Sequence, residues 1–286
     1  MNKIYITQPG LSIGKNWLKR KIWNCLYSGS QYALGSFFID PRDHIGGERI
    51  IIGKPYEFYN LEIIKSLALK LNIGTGICID IGANIGNHSR YFAEVFSKVV
   101  CIEPGDVASS VLNANMISSG IQNYEIHKCA LGSASGRADF IIVSETNLGS
   151  SQISLNKDSG PLEVKVGDEL LDSHENIEFI KIDVEGFEAD VLKGLLNTLI
   201  KWQPVICVEV LSESNWNDIS VTLAEANYSQ FMVISRPETR SIFTKIRSLF
   251  TGKEYSLAKM PALFPKDGYD MIFCVPGKHS SKLTES

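Results

Sequence analysis

The chain has 286 residues, 44% hydrophobic and 21% charged, with a net charge of −4 at pH 7. That length buries a large core as one enlarged domain or one domain with a cap, while the acidic balance argues against a general nucleic-acid binder. No apolar stretch approaches the roughly 18 residues of a membrane span, and six scattered cysteines without a C-x-x-C pair argue against a disulfide framework or a zinc site. Cys78, Cys101, Cys129 and Cys207 lie in apolar runs, where cysteine serves as a small core residue. The first ten residues hold one early Lys and then Pro9-Gly10, without an apolar core of signal-peptide length, so the expected setting is reducing and cytoplasmic.

Residues 1–55 read as a separate layer. Asn16 to Tyr27 has helical spacing with aromatic anchors at Trp17, Trp23 and Tyr27. Gly35 to Ile39 and Arg49 to Ile52 then form a β-ribbon around the polar turn Asp40 to Gly47. The main domain occupies 56–286 and begins with a helix from Glu57 to Leu71, closed by turn residues at 72–76. Strands are predicted at 77–81, 99–103 and 124–129, with helices at 87–97 and 107–119 between them. An antiparallel excursion, 139–144 and 162–166, flanks a polar loop at 145–160. A strand at 178–183, a single helix from about 186 to 200 and a strand at 205–210 follow. Segments 232–235 and 271–275 pair as a hairpin around an insertion at 236–267. Such alternation builds a doubly wound, mostly parallel sheet by right-handed crossovers.

The richest signal is Asp80-Ile-Gly82-Ala83-Asn84-Ile-Gly86 at the end of the first strand, with Glu103-Pro104 ending the second. Glycines let a ligand approach the backbone closely, and an acid about 20 residues beyond the turn suits a ribose diol. The ligand therefore contains adenosine. Ala83 takes the place of the second glycine of a dinucleotide turn, and Asn87-His88 follow where a Walker loop needs Lys-Ser/Thr. Asp80 would repel a pyrophosphate but pairs well with an ammonium group, which S-adenosylmethionine carries without any phosphate. The runner-up class is a nucleotide-binding oxidoreductase or a non-catalytic binding module of the same fold.

This turn, Glu103-Pro104, Ala130-Leu131-Gly132, Gly149-Ser-Ser151, the string Phe179 to Glu188 with Lys181-Ile-Asp183-Val-Glu185-Gly186, and Val191 to Gly194 together resemble the FkbM family of S-adenosylmethionine-dependent methyltransferases. The resemblance runs from about Tyr56 to Leu211. It implies an α/β, Rossmann-like, seven-stranded methyltransferase sheet with an antiparallel last strand, to which the chain adds an N-terminal cap. It also implies O-methylation of a hydroxyl on a sugar or related small metabolite. The cofactor set is Asp80, Gly82, Ala83, Asn84, Gly86, Asn87, Glu103, Pro104 and Asp183, with Ala130 and Leu131 near the adenine by their position after the third strand.

Open parallel sheets bind ligands at the carboxyl ends of their strands, where Asp80, Glu103, Asp183 and Glu209 fall. Methyl transfer needs alignment and exclusion of water more than acid–base chemistry, yet a base helps a protonated hydroxyl. Asp183 is the first candidate base, with Glu209, His44 and Glu185 behind it; His88, next to the turn, reads as a cap or packing residue. Asp183 and Glu209 offer magnesium two oxygen ligands, but no Asp/Asn cluster completes an octahedron, so no metal is expected. The acceptor is a small molecule or glycan, not nucleic acid. In the 236–267 insertion seven Lys/Arg stand against three acids, a local charge of +4. Ile242, Phe243, Ile246, Leu249 and Phe250 share a helical face there. That pattern fits a lid, a membrane-surface helix or, the reading preferred, an apolar face packed on the sheet.

Overall fold

The computed structural model describes residues 37–38, 55–141, 152–155, 160–210, 212–235, 256–261, 264–265 and 269–284. The predicted N-terminal helix, the ribbon apart from Phe37 and Phe38, His44, Gly149-Ser-Ser151 and the apolar helical face of the insertion lie outside these residues.

The main sheet has eight strands. β1 (Ile77–Ile81), β2 (Lys98–Ile102) and β3 (Tyr124–His127) run in parallel with β8 (Ile177–Ile182) and β9 (Val205–Val210). Beyond β9 come β12 (Tyr269–Pro276), then β10 (Tyr228–Ser235) and β11 (Ser256–Lys259). β12 is antiparallel to both β9 and β10, as expected of the last strand. The expected seven strands are present. The eighth, β11, comes from the insertion, pairs antiparallel with β10 and forms that edge of the sheet.

Both faces of the central strands are buried, the mark of a parallel sheet covered on two sides. Ile79, Ile81, Val100, Ile102, Ile180, Ile182, Ile206 and Val208 point to one core. Cys78, Val99, Cys101, Phe179, Val205 and Cys207, alternating with them, point to the other. The second core is covered by α1 (Phe58–Leu71), α2 (Asn87–Phe92) and α3 (Asp106–Ser118). In α1, Leu61, Ile64, Leu67, Ala68 and Leu71 make the buried stripe, and Asn72 ends the helix in the left-handed region, φ 56°.

The first core is covered by α4 (Gly167–Leu170), α5 (Glu188–Gly194), α6 (Leu196–Trp202) and α7 (Glu213–Glu225). The single helix predicted over 186–200 is thus two. Gly194 abuts β4 (Ala130–Gly132) so closely that a Cβ there would sit 2.1 Å from the Gly132 carbonyl oxygen. Asp168 then caps the new start from outside, accepting from Asn197 N–H at 3.0 Å and Thr198 N–H at 2.7 Å. Glu188, in the first turn of α5, is fully buried: it accepts from Gly186 N–H and from the Asn215 amide.

The third strand stops at His127, short of the predicted 129, and the chain moves into a second sheet ordered β4, β7 (Leu162–Val166), β5 (Gly136–Ile141), β6 (Gln152–Leu155). β6 lies in what reads as a polar loop, because Gln152-Ile-Ser-Leu155 alternates over only four residues. A short end helix, α8 (Ser280–Thr284), packs Leu283 toward the α1 side.

Candidate active site

Alternation decides where the acids go. Asp80 follows Cys78, Glu103 follows Cys101, Asp183 and Lys181 follow Phe179, and Glu209 follows Cys207. All five therefore sit on the α1–α3 face, at or just past the carboxyl ends of four adjacent strands.

The turn after β1 is held by backbone and side chains. Gly82 and Ala83 N–H groups donate to Ile102 O at 3.0 and 3.1 Å, and Gly86 N–H donates to Ala83 O. Gly82 has φ 75°, and a Cβ there would lie 1.8 Å from the Asp183 carbonyl oxygen, so only glycine fits between β1 and β8. Asn115 of α3 donates from its amide to Ile85 O at 2.8 Å and to Phe38 O at 3.1 Å, tying described N-terminal residues to this turn. Asn87 clamps residue 56, donating to Tyr56 O at 3.0 Å and accepting from Tyr56 N–H at 3.2 Å.

Glu103 is 7% exposed. Its Oε2 accepts from Asn84 N–H at 2.9 Å and its Oε1 from Gly105 N–H at 2.8 Å, leaving lone pairs on both oxygens. Burial pushes its carboxyl above the ordinary range, against the pull of those two amides. Asp80 is fully buried: Ser89 Oγ donates to its Oδ2 at 2.5 Å, and Lys181 Nζ stands 3.6 Å from Oδ1. Ala130 and Leu131 are buried in β4, while Pro104 is half-buried beside Glu103.

Lys181 is the organising cation. It is the cross-strand neighbour of Asp80 on β1 and Cys207 on β9. Its ammonium lies 3.0 Å from Asp183 Oδ2 and donates to Gly82 O at 3.3 Å. Burial alone would lower its pKa, but Asp183 and Asp80 outweigh burial and keep it charged. Burial pushes the Asp183 carboxyl up, yet Lys181 and a hydrogen bond from Glu209 hold it below the usual aspartate range. Glu209 goes the other way: burial first, then the Asp183 charge, raise it to about 9. At neutral pH the pair is therefore an ionised Asp183 accepting a proton-bearing hydrogen bond from a neutral Glu209. With Glu57, Ile182, Cys207 and Met271 they line a cavity of about 10 Å³, the room of one water.

Glu185 lies just outside this cluster with φ 51°, its carboxyl raised by burial and by Asp183. His88, read from the sequence as a cap or packing residue, holds Nε2 3.0 Å from Glu57 Oε2. Sequence reasoning gave Lys181, Glu57 and Asn115 no role. Lys181 was findable: a lysine inside an apolar strand, at the same parity as the neighbouring strand-end acids.

A family model described as the methyltransferase FkbM domain matches residues 80–254. The chain belongs to the FkbM methyltransferase family. Hexuronic acid methyltransferase AglP of Haloferax volcanii is 30% identical over 154 residues, 52% of this chain and 62% of AglP, so the match spans under two thirds of that relative. Among solved structures, the FkbM methyltransferase from Methylobacillus flagellatus aligns with TM-score 0.45 and 14% identity, covering 91% of this chain and 60% of that one. The O-methyltransferase TomG from Streptomyces achromogenes, solved with SAM, aligns with TM-score 0.43 and 11% identity, covering 91% and 99%. The cofactor of the FkbM family is S-adenosylmethionine, and the residues present fit it. Glu103 keeps a free lone pair on each oxygen for a diol, and glycine at 82 and 86 leaves the turn open to close approach. Among the described residues, the ammonium within the strand-end cluster is already held by Asp80 and Asp183, which suits a cationic cofactor better than a pyrophosphate.

Proposed function

We propose that this chain transfers a methyl group from S-adenosylmethionine to a hydroxyl of a sugar or related small metabolite. The observation that carries the reading is the Lys181–Asp183–Glu209 cluster, held against the cofactor turn through the Gly82 carbonyl. Bound at the turn, the cofactor supplies a methyl carbon already activated by a sulfonium. Glu103 holds the ribose diol, the Gly82–Gly86 backbone faces the methionine end, and Ala130 and Leu131 border the adenine. Asp80 supports the turn from beneath through Ser89 and Lys181.

Asp183 accepts the acceptor's hydroxyl proton. Its low pKa is no obstacle, because an alcohol oxygen becomes strongly acidic as it gains a methyl group, so a weak but fixed carboxylate suffices. Lys181 fixes that carboxylate, and neutral Glu209 donates a hydrogen bond to it. The similarity to a protein named for hexuronic acid supports a carbohydrate acceptor. The segment before residue 55 and the 236–267 insertion are expected to frame the acceptor pocket above the strand ends; for the N-terminal part, the Asn115 amide bonds to Phe38 O and Ile85 O support this reading.

Calorimetry against S-adenosylhomocysteine, NADH and ATP tests the cofactor, and transfer of labelled methyl into hexuronate-containing glycans tests the acceptor. Binding of NADH without S-adenosylhomocysteine, or label confined to RNA or protein, would refute the reading. Removal of residues 1–50 should abolish transfer and leave S-adenosylhomocysteine affinity largely intact in the folded product.

A further inference from the structure

We propose that Glu125, His127 and His174 form a binding site for a borderline divalent ion such as Zn²⁺ at the edge of the main sheet, apart from the methyl-transfer cluster and independent of that reading. Glu125 and His127 are two residues apart on β3, the edge strand, so their side chains leave the same face. His174 reaches them from the turn after α4, whose backbone is fixed by His174 N–H donating to Leu171 O at 2.9 Å. One ligand atom from each residue lies within 4.8 Å of the others.

The polar atoms are arranged for more than a hydrogen-bond network. His127 Nε2 is 2.6 Å from Glu125 Oε1 without the alignment of a hydrogen bond, and His174 Nδ1, on a buried ring, has no hydrogen-bond partner among the described residues. His174 Nε2 lies 3.3 Å from Glu125 Oε2. Two imidazoles and one carboxylate suit Zn²⁺, Co²⁺ or Ni²⁺, whereas Mg²⁺ and Ca²⁺ prefer all-oxygen sets. Glu125 and His127 keep a third and a quarter of their side-chain exposure, which leaves a path for the ion and a position for water. A competing cation is already present: Lys98 Nζ donates to Glu125 Oε2 at 2.5 Å and must swing aside or share the carboxylate. The ion would pin the end of β3, where His127 O accepts from Glu103 N–H at 3.1 Å.

Equilibrium dialysis of chelator-stripped protein against Zn²⁺, with bound metal counted by mass spectrometry, tests the site. One saturable equivalent is expected, accompanied by a higher melting temperature. His127→Ala and His174→Ala should each weaken it by about 10–100-fold or more, and His279→Ala should leave it unchanged. Lys98→Met, which removes the competitor from a half-exposed position, should tighten binding severalfold. With Co²⁺ the spectrum should lack a thiolate charge-transfer band. No stoichiometric binding, a thiolate band, or affinity indifferent to Lys98→Met and to whichever histidine variants fold would overturn the proposal.

Discussion

Glu103 offers the sharpest test of the cofactor site, because its two oxygens already have distinct work. Each accepts one backbone N–H, from Asn84 at 2.9 Å and Gly105 at 2.8 Å, and each keeps one lone pair for a ribose hydroxyl. Glu103→Gln preserves shape but sets an NH₂ against one of those amide donors. Leaving a buried donor unsatisfied costs about 1–3 kcal/mol of stability. Glu103→Ala removes the charge-assisted bonds to the ribose, worth about 1.5–3 kcal/mol for a charged partner, or roughly a 10- to 150-fold weaker Kd. Calorimetric titration with S-adenosylhomocysteine, run beside urea unfolding of each variant, separates the two effects. A folded Glu103→Ala protein with wild-type affinity would refute the ribose assignment. Equal loss of affinity for S-adenosylhomocysteine and for methionine alone would show that the acid shapes the turn and does not contact the ribose.

Lys181→Met leaves Asp80 and Asp183 without their shared cation, and breaking a buried pair costs about 3–5 kcal/mol; chemical denaturation should show it, and adding Asp80→Asn should recover part of the loss. Glu209 is raised in the folded state to about 9, so it contributes stability that is full below its unfolded pKa and is lost as pH rises through about 9. Glu209→Gln should therefore remove part of the wild-type decline between pH 6 and pH 8, on the order of 1–2 kcal/mol, read from urea midpoints at the two pH values. Gly194→Ala drives a methyl group to within 2.1 Å of the Gly132 carbonyl and should destabilise by about 1–3 kcal/mol, measured by thermal unfolding.

The alternation of apolar strands and amphipathic helices was legible because each central strand is buried on both faces and each covering helix on one. The departures come from long-range packing that local pattern does not encode. A run with unbroken helical spacing from 186 to 200 splits because Gly194 meets β4, 62 residues earlier in the chain, and because Asp168 supplies a cap from α4. β6 escaped because four alternating residues between polar flanks carry too little periodicity to separate a strand from a loop. β11 escaped because its partner strand gains the pairing only after an insertion folds back.

At the candidate site the sequence showed which acids end strands, and strand parity shows why they matter together. Residues 80, 103, 183 and 209 share one face because each lies an even number of positions from a buried residue of the same core. Parity does not distinguish their roles; burial and partners do. Asp80 is enclosed with Ser89 and Lys181, Glu103 keeps lone pairs beside the turn, and Asp183 keeps its charge because Lys181 lies 3.0 Å away. Glu209, one strand further from that ammonium, faces the Asp183 charge and keeps its proton. Two carboxyl groups of nearly equal intrinsic acidity thus become an acceptor and a donor, and the lysine on β8, two residues before Asp183, decides which is which.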